Sequence, residues 1–393
     1  MRFLFGLMAV AAVYLGWQWY ADQPALNGGE MFEKADRTSQ PVEASMPKVV
    51  DAGSGSPPAG PTAKPMGETA PKPGDVPTAS PEDPLADVDL SDGFGRLRLV
   101  KGAEKERLSA ALAALVSRTD NLDGMLAVLG KGNSFLHSEV GRKAGREAVA
   151  RILKLNPESS VALMSALLEQ CMRGSLKKTD TDAGAFIDEV YRKHKVLVDR
   201  VVFSPANLRK ARSHPVRKGE TLDGIARRYR KQGVNVEGWT LCYMNRISRP
   251  NRLRAGVTIK IPVEPIWAKI EKESFLMAVY VGETIVRLYW VAHGADDKTP
   301  IASFTVGAKL ENPDWYAPDG NTYPFGHPKN VLGKYFVKFS HESYQGFGAH
   351  GTSEPESIRT KASLGCLRLY DADIREFSRF VPRGSKVVIA STQ

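Results

Sequence analysis

The chain has 393 residues, 42% of them hydrophobic and 25% charged, with 54 Lys and Arg against 44 Asp and Glu. That length allows two or three domains with real cores, and that balance excludes a fibrous or wholly disordered chain. The net charge of +10 sits in the middle, with +8 in residues 90–212, +8 in 213–263 and −7 in 21–89; neither zinc-finger spacing nor an RNP-like aromatic motif accompanies it, so nucleic acid is not an expected partner.

Arg2 precedes a run without charge, FLFGLMAVAAVYLGWQWY, which ends in Trp17, Trp19 and Tyr20. This is about the length that crosses a bilayer, with aromatics where the interface enriches them. Residues 1–21 are therefore expected to form a transmembrane signal-anchor through which the protein contacts the membrane. A cleaved signal peptide is the competing reading, and Trp19 stands where its small residue belongs. With Arg2 inside, everything beyond is expected to be exported, to the periplasm or the cell-wall side. Residues 22–89 hold 12 of the 25 prolines among Gly, Ala, Ser and Thr, and read as a disordered tether.

Residues 90–212 carry helical periodicity. Leu108, Ala111, Leu112, Leu115 and Val116 form one stripe, and Pro157 marks a helix boundary. The expectation is a small all-α bundle serving as a spacer or partner surface. Cys171 and Cys242 lie in apolar surroundings and read as small core residues; three cysteines cannot make a fully paired framework.

In residues 213–264 a short strand leads into Gly219. Thr221 can cap a helix bearing Leu222, Ile225, Ala226 and Tyr229, a second helix holds Trp239, Leu241 and Cys242, and VTIKIP reads as a strand. Gly219-Glu220-Thr221-Leu222, Ile225-Ala226, Asn245 and Leu253 to Pro262 resemble a LysM domain over nearly its full length, with Glu220 where Asp is more usual. The resemblance implies a small α+β fold (βααβ) that binds N-acetylglucosamine-containing glycans such as peptidoglycan. The implied groove lies between Gly219, Glu220, Thr221 and Leu222 on one side and Arg252, Leu253 and Arg254 on the other.

Residues 267–393 read as mainly β. SFLMAVYVGETIVRLYWVA suggests a hairpin turning at Gly282-Glu283, SFTVGAKL, KYFVKFS and SKVVIAS suggest further strands, and one helix is expected with Asp371 as its N-cap. Within this segment Cys366 occupies a polar stretch, GAHGTSEPESIRTKASLGCLRL. A thiol becomes a nucleophile as thiolate, an imidazole can take its proton, and a third group can orient the imidazole. His350, sixteen residues upstream, is the candidate base. Gly365 permits close backbone approach, so that the amides of Gly365 and Cys366 can face a developing oxyanion. His327, His341, His350 and Cys366 lack any tight metal-binding element, so neither metal nor cofactor is expected.

Five segments follow in the order of the L,D-transpeptidases, the YkuD-like family, and resemble them: GADDKTPIASF, ENPDWYAPDG, NVLGKYFVKF, FGAHGT and SLGCLRL. The resemblance implies that Cys366 is the nucleophile, that His350 is the base with its ring oriented by the Gly351 carbonyl, and that Ser363, Arg368 and Thr352 shape the substrate site. Leu364 departs from a frequent second His. The implied reaction is attack by Cys366 on the third residue of a peptidoglycan tetrapeptide stem, release of D-Ala, and transfer of the acyl group to an amine. A hydrolase acting on stem peptides and a non-catalytic peptidoglycan-binding protein remain as alternatives. The whole is expected to be multidomain: anchor, linker, helical region, LysM-like unit and C-terminal catalytic domain.

Overall fold

A computed structural model describes Pro84, residues 88–90 and residues 92–392; the expected anchor and nearly all of the linker lie outside these residues. Among the described residues no helix is long and apolar enough to cross a membrane. The first unit is all helical: α1 (Gly93–Leu99), α2 (Gly102–Arg118), α3 (Leu122–Leu129), α4 (Glu139–Ile152), α5 (Pro157–Met172) and α6 (Thr181–Val201). Its boundaries follow local chemistry. Ser138 Oγ accepts from the Gly141 amide to start α4. Asn156 caps α5 by accepting from Ser159, and Pro157 takes the first helical position, where no amide proton is needed. Phe135 and Phe186 meet edge to face at 5.8 Å in the centre. A Cβ on Gly145 would come within 2.6 Å of the Phe186 ring, so only glycine lets α4 approach.

The second unit is βααβ. Strands β1 (Ala211–Pro215) and β2 (Thr258–Pro262) pair antiparallel with His214 opposite Ile259, and enclose α7 (Leu222–Arg230) and α8 (Gly238–Met244). Leu222, Ile225, Ala226, Leu241, Ile259 and Ile261 form its own core. β1 begins two residues earlier than the sequence pattern suggested. Trp239 is exposed on α8, where the Arg379 guanidinium lies 4.5 Å from its ring centre.

The third unit is built on β3 (Ile266–Glu271), β4 (Leu276–Val281), β5 (Thr284–Trp290), β6 (His293–Gly294), β7 (Ala302–Glu311), β8 (Trp315–Tyr316), β9 (Thr322–Tyr323), β10 (Tyr335–Ser340), β11 (Gly348–His350), β12 (Lys361–Ser363), β13 (Leu367–Arg368), α9 (Asp371–Phe380) and β14 (Lys386–Ala390). Eight strands form a mixed sheet in the order β13-β11-β10-β7-β14-β3-β4-β5. The β4–β5 hairpin turns at Gly282, whose φ of +60° suits glycine. One face packs on α9 through Phe339, Ile374, Phe377 and Phe380. Tyr370, not Asp371, is the N-cap of α9; Asp371 opens the helix and turns its carboxylate to the Thr352 amide at 3.3 Å.

The helical unit is no detached spacer. Its core runs on into Leu276, Ala278, Tyr280, Ile285 and Leu288 of the sheet. Glu169 on α5 bonds the Lys269 ammonium at 2.6 Å and the Tyr280 hydroxyl. His194 Nε2 on α6 bonds the Ile285 carbonyl at 2.6 Å. Burying apolar sheet area yields about 25 cal/mol per Å², and that gain is lost when the cover is removed. A chain starting at residue 213 is therefore expected to bind a hydrophobic dye and to melt well below the full chain. Equal melting temperatures with no dye binding would refute this shared core.

Candidate active site

The site lies where β11 and β13 run parallel, with Ala349 opposite Leu367 and His350 opposite Arg368. Residues opposite each other in a ladder share one face, as His350 and Arg368 do, and Cys366 lies in the bend immediately before β13. Two residues cannot hold a strand alone. β13 is pinned on its other side by Ala292, which exchanges two backbone bonds with Arg368 at 3.0 and 2.9 Å, while the Leu369 amide donates to the His350 carbonyl at 2.9 Å.

His350 is buried, and its Nδ1 bonds the Gly351 carbonyl at 2.6 Å. The carbonyl can only accept, so Nδ1 carries the proton and Nε2 is left as a proton acceptor. Burial pushes its pKa down to about 4; the Gly351 carbonyl opposes this and the Arg368 charge adds to it. A Cβ on Gly351 would come within 2.1 Å of Asp371 Oδ1, so a larger residue there would displace that carboxylate. The Cys366 thiol is turned to the Gly346 carbonyl at 3.5 Å. Burial pushes the thiol up to about 11, against the Gly348 amide and the Arg368 guanidinium, which favour thiolate. At neutral pH the pair therefore rests as thiol and neutral imidazole.

The turn before Cys366 is tightly bonded. Ser363 Oγ donates to the Cys366 carbonyl at 2.5 Å and accepts from the Gly365 amide at 3.1 Å. The Gly365 amide is thus committed, which corrects the expectation that both Gly365 and Cys366 face an oxyanion. The amides of Leu364 and Cys366 have no hydrogen-bond partner among the described residues. Ser363 is buried and acts on the turn itself. Arg368 Nη1 donates to Glu354 at 2.6 Å and to Ser357 Oγ at 3.2 Å, so its charge is shared with a loop carboxylate. Thr352 holds the same loop, its hydroxyl accepting from the Glu354 amide at 2.9 Å. Leu364 is 69% exposed beside this turn.

Sequence reasoning did not single out Thr299, Glu354 or Gly346, and it read Asp371 only as a helix cap. Thr299 lay inside the quoted GADDKTPIASF stretch, but its role appears only where β6 and the Gly365 turn meet. Among the described residues no group of His, Cys, Asp and Glu could hold a metal ion. Cys171, Cys242 and Cys366 are all free thiols.

In the βααβ unit the expected glycan residues divide. Glu220 Oε2 accepts from His214 Nε2 at 3.0 Å and from the Arg217 amide at 2.9 Å, while Arg228 lies 2.7 Å from Oε1. Thr221 caps α7 through the Gly224 amide at 3.1 Å, and Leu222 is buried. These three side chains build the turn; Leu222 is buried and Glu220 half-buried, while Thr221 stays exposed. Gly219, Arg252 and Arg254 are exposed and Leu253 half-buried.

A family model described as the L,D-transpeptidase catalytic domain matches residues 265–389, and a LysM domain model matches residues 214–262. YqjB of Bacillus subtilis, which carries an L,D-transpeptidase name, is 30% identical over 132 residues, 33% of this chain and 73% of that protein. YkuD of Bacillus licheniformis, named likewise, is 27% identical over 183 residues, 45% of this chain and 97% of that protein. Among solved structures, an L,D-transpeptidase from Mycobacterium smegmatis is similar at 17% identity and TM-score 0.28, covering 35% of this chain and 64% of that one. The NMR structure of the E. faecium L,D-transpeptidase catalytic domain is similar at 20% identity and TM-score 0.26, covering 32% and 98%.

The resting thiol makes its own prediction. Iodoacetamide is expected to alkylate Cys366 slowly at pH 7, the rate rising about tenfold per pH unit as thiolate forms toward pH 11. A rate already at plateau below pH 8, followed by mass spectrometry of the Cys366 peptide, would contradict a neutral pair.

Proposed function

The chain belongs to the L,D-transpeptidase family, and on that premise we propose that it is a cell-wall acyltransferase that works through Cys366 on peptidoglycan stem peptides. The observation that carries this reading is the buried imidazole of His350, its Nδ1 proton held by Gly351 at 2.6 Å, on the strand paired with the segment after Cys366. That tautomer leaves Nε2 able to take the thiol proton as sulfur attacks.

In the first step the sulfur of Cys366 bonds to the carbonyl carbon of the third stem residue, and His350 Nε2 receives the thiol proton. The tetrahedral oxyanion is met by the Cys366 amide. Collapse breaks the carbon–nitrogen bond to the terminal residue, and His350 returns its proton to the departing D-Ala amine. An acceptor amine then attacks the thioester, gives its extra proton to His350, and leaves Cys366 once more as thiol. No metal or cofactor enters. Water, at about 55 M, competes at this second step, so transfer needs the amine held in place; effective molarities of roughly 10⁵ M come from such placement. The Arg368–Glu354 pair beside the thiol is the candidate anchor for the stem's charged groups.

The LysM unit is read as a peptidoglycan binder, with Gly219, Leu253, Arg252 and Arg254 offering the open surface. The export and membrane anchoring of the enzyme rest on the apolar run at residues 3–20.

Cys366→Ser and His350→Ala are each expected to cut turnover of a disaccharide-tetrapeptide by at least about 10³-fold while the melting curve is retained. Mass spectrometry of the wild-type products should show loss of D-Ala and stems joined to a second amine. If only uncross-linked tripeptide accumulates with acceptor amine present, the hydrolase reading replaces this one. Because the LysM unit is bonded to the catalytic unit through Thr240 and Glu237, binding is better tested by Arg252→Ala with Arg254→Ala than by deletion. The double variant should sediment with insoluble peptidoglycan roughly tenfold less well, about 1.4 kcal/mol, at a salt concentration that screens nonspecific attraction. Unchanged sedimentation would remove this surface from the reading.

A further inference from the structure

We infer that Thr299 is a positioning residue of the transfer reaction: its hydroxyl fixes the peptide joining Gly365 to Cys366 and thereby aims the Cys366 amide at the oxyanion. This rests on the proposal that Cys366 is the nucleophile.

Thr299 is 1% exposed and sits between two backbone segments. Its Oγ1 accepts from the Gly294 amide at 2.8 Å and donates to the Gly365 carbonyl at 2.6 Å. The Gly294 amide can only donate, so the hydroxyl proton has one destination, the Gly365 oxygen. In a trans peptide the carbonyl and the following amide point in opposite directions, and the described chain holds no cis bond. Anchoring the Gly365 carbonyl on Thr299 therefore turns the Cys366 amide to the other side of the peptide, where it has no hydrogen-bond partner among the described residues.

The neighbouring peptides are held by a different group. Ser363 Oγ bonds the Gly365 amide and the Cys366 carbonyl, which belong to the peptides before and after this one. The middle peptide is left to Thr299. It needs such a hold, because Gly365 has φ +136°, a conformation open to glycine, whose backbone no side chain restrains. Donation to the carbonyl also polarises the peptide and makes its amide a stronger donor.

Thr299 is itself braced. The buried Lys272 ammonium donates to the Thr299 carbonyl at 2.9 Å and to Asp297 at 3.1 Å. A Cβ on Gly294 would come within 3.0 Å of Gly365 Cα and 2.9 Å of the Thr299 amide nitrogen, so β6 and the turn approach as closely as glycine allows.

The test compares two reactions of the same sulfur in the full chain. Transfer from a disaccharide-tetrapeptide passes through an oxyanion, whereas alkylation by iodoacetamide does not. Thr299→Val should lower kcat about 10- to 100-fold, less than the roughly 10²- to 10³-fold for losing an oxyanion donor outright. KM and the alkylation rate should stay within about twofold, since neither uses the aimed amide. Thr299→Ser keeps the hydroxyl and should restore kcat to within about threefold of wild type. An unchanged kcat in Thr299→Val, an equal loss of alkylation, or a Thr299→Ser variant below a tenth of wild type would overturn the inference. Should Thr299→Val not fold, Thr299→Ala removes the hydroxyl without the second methyl and carries the same expectations. Full activity of Cys366→Ala would instead dispose of the nucleophile assignment itself.

Discussion

The parallel pairing of β11 with β13 is the constraint on which the rest depends. It sets His350 beside the segment that follows Cys366, and it rests on two residue pairs, Ala349 with Leu367 and His350 with Arg368. A strand that short contributes few ladder bonds of its own, so its position is fixed by what surrounds it. Ala292 bonds it from the far edge, Ser363 and Thr299 lock the turn that leads into it, and α9 packs behind it. Parallel strands also require a crossover, here residues 351–366, and that crossover carries Glu354 and Ser357 to Arg368.

The crossover in turn leans on the helical unit. Arg359, held at φ +66°, donates from its backbone to Val291 at 3.0 Å and from Nη2 to the Lys177 carbonyl at 2.8 Å. Its guanidinium lies 4.4 Å from the centre of the Trp290 ring, and Trp290 donates to Asp188 on α6 at 2.8 Å. Lys178 bonds the Glu356 carbonyl. The turn between α5 and α6 thus grips the segment that presents Glu354, which ties the first unit to the geometry around the thiol.

The LysM unit is seated at the other end of the same scaffold. Thr240 donates to the Phe380 carbonyl at 2.9 Å, and Glu237 receives Lys309 at 2.7 Å and the Arg383 amide at 3.1 Å. Asp371, at the opposite end of α9, reaches the Thr352 amide. Ten helical residues span about 15 Å, so one rigid helix separates the LysM unit from the loop beside Cys366. Lys260 strengthens this seat from within β2, its buried ammonium bonding the Val202 and Ser204 carbonyls past the end of α6, and burial pushes its pKa down to about 8.

By itself the sequence determined what depends on neighbours along the chain. The helical periodicity of 90–212, the cap at Thr221 and the hairpin at Gly282 are local patterns, and motif order carried the family. Local pattern misassigned the cap of α9: Tyr370 keeps the extended backbone of a cap, while Asp371 is already helical and turns its carboxylate to the Thr352 amide. It also counted the Gly365 amide as free, since the competing acceptor, Ser363 Oγ, turns back only once the turn has closed. The tertiary structure alone decided that Leu276, Ala278 and Ile285 are covered by helices, and that Thr299, sixty-six residues before the Gly365 carbonyl, is the group that holds it. Those contacts join segments far apart in sequence: apolar burial stabilises the first, and the need of a buried polar group for a partner fixes the second, conditions that no short stretch of chain expresses.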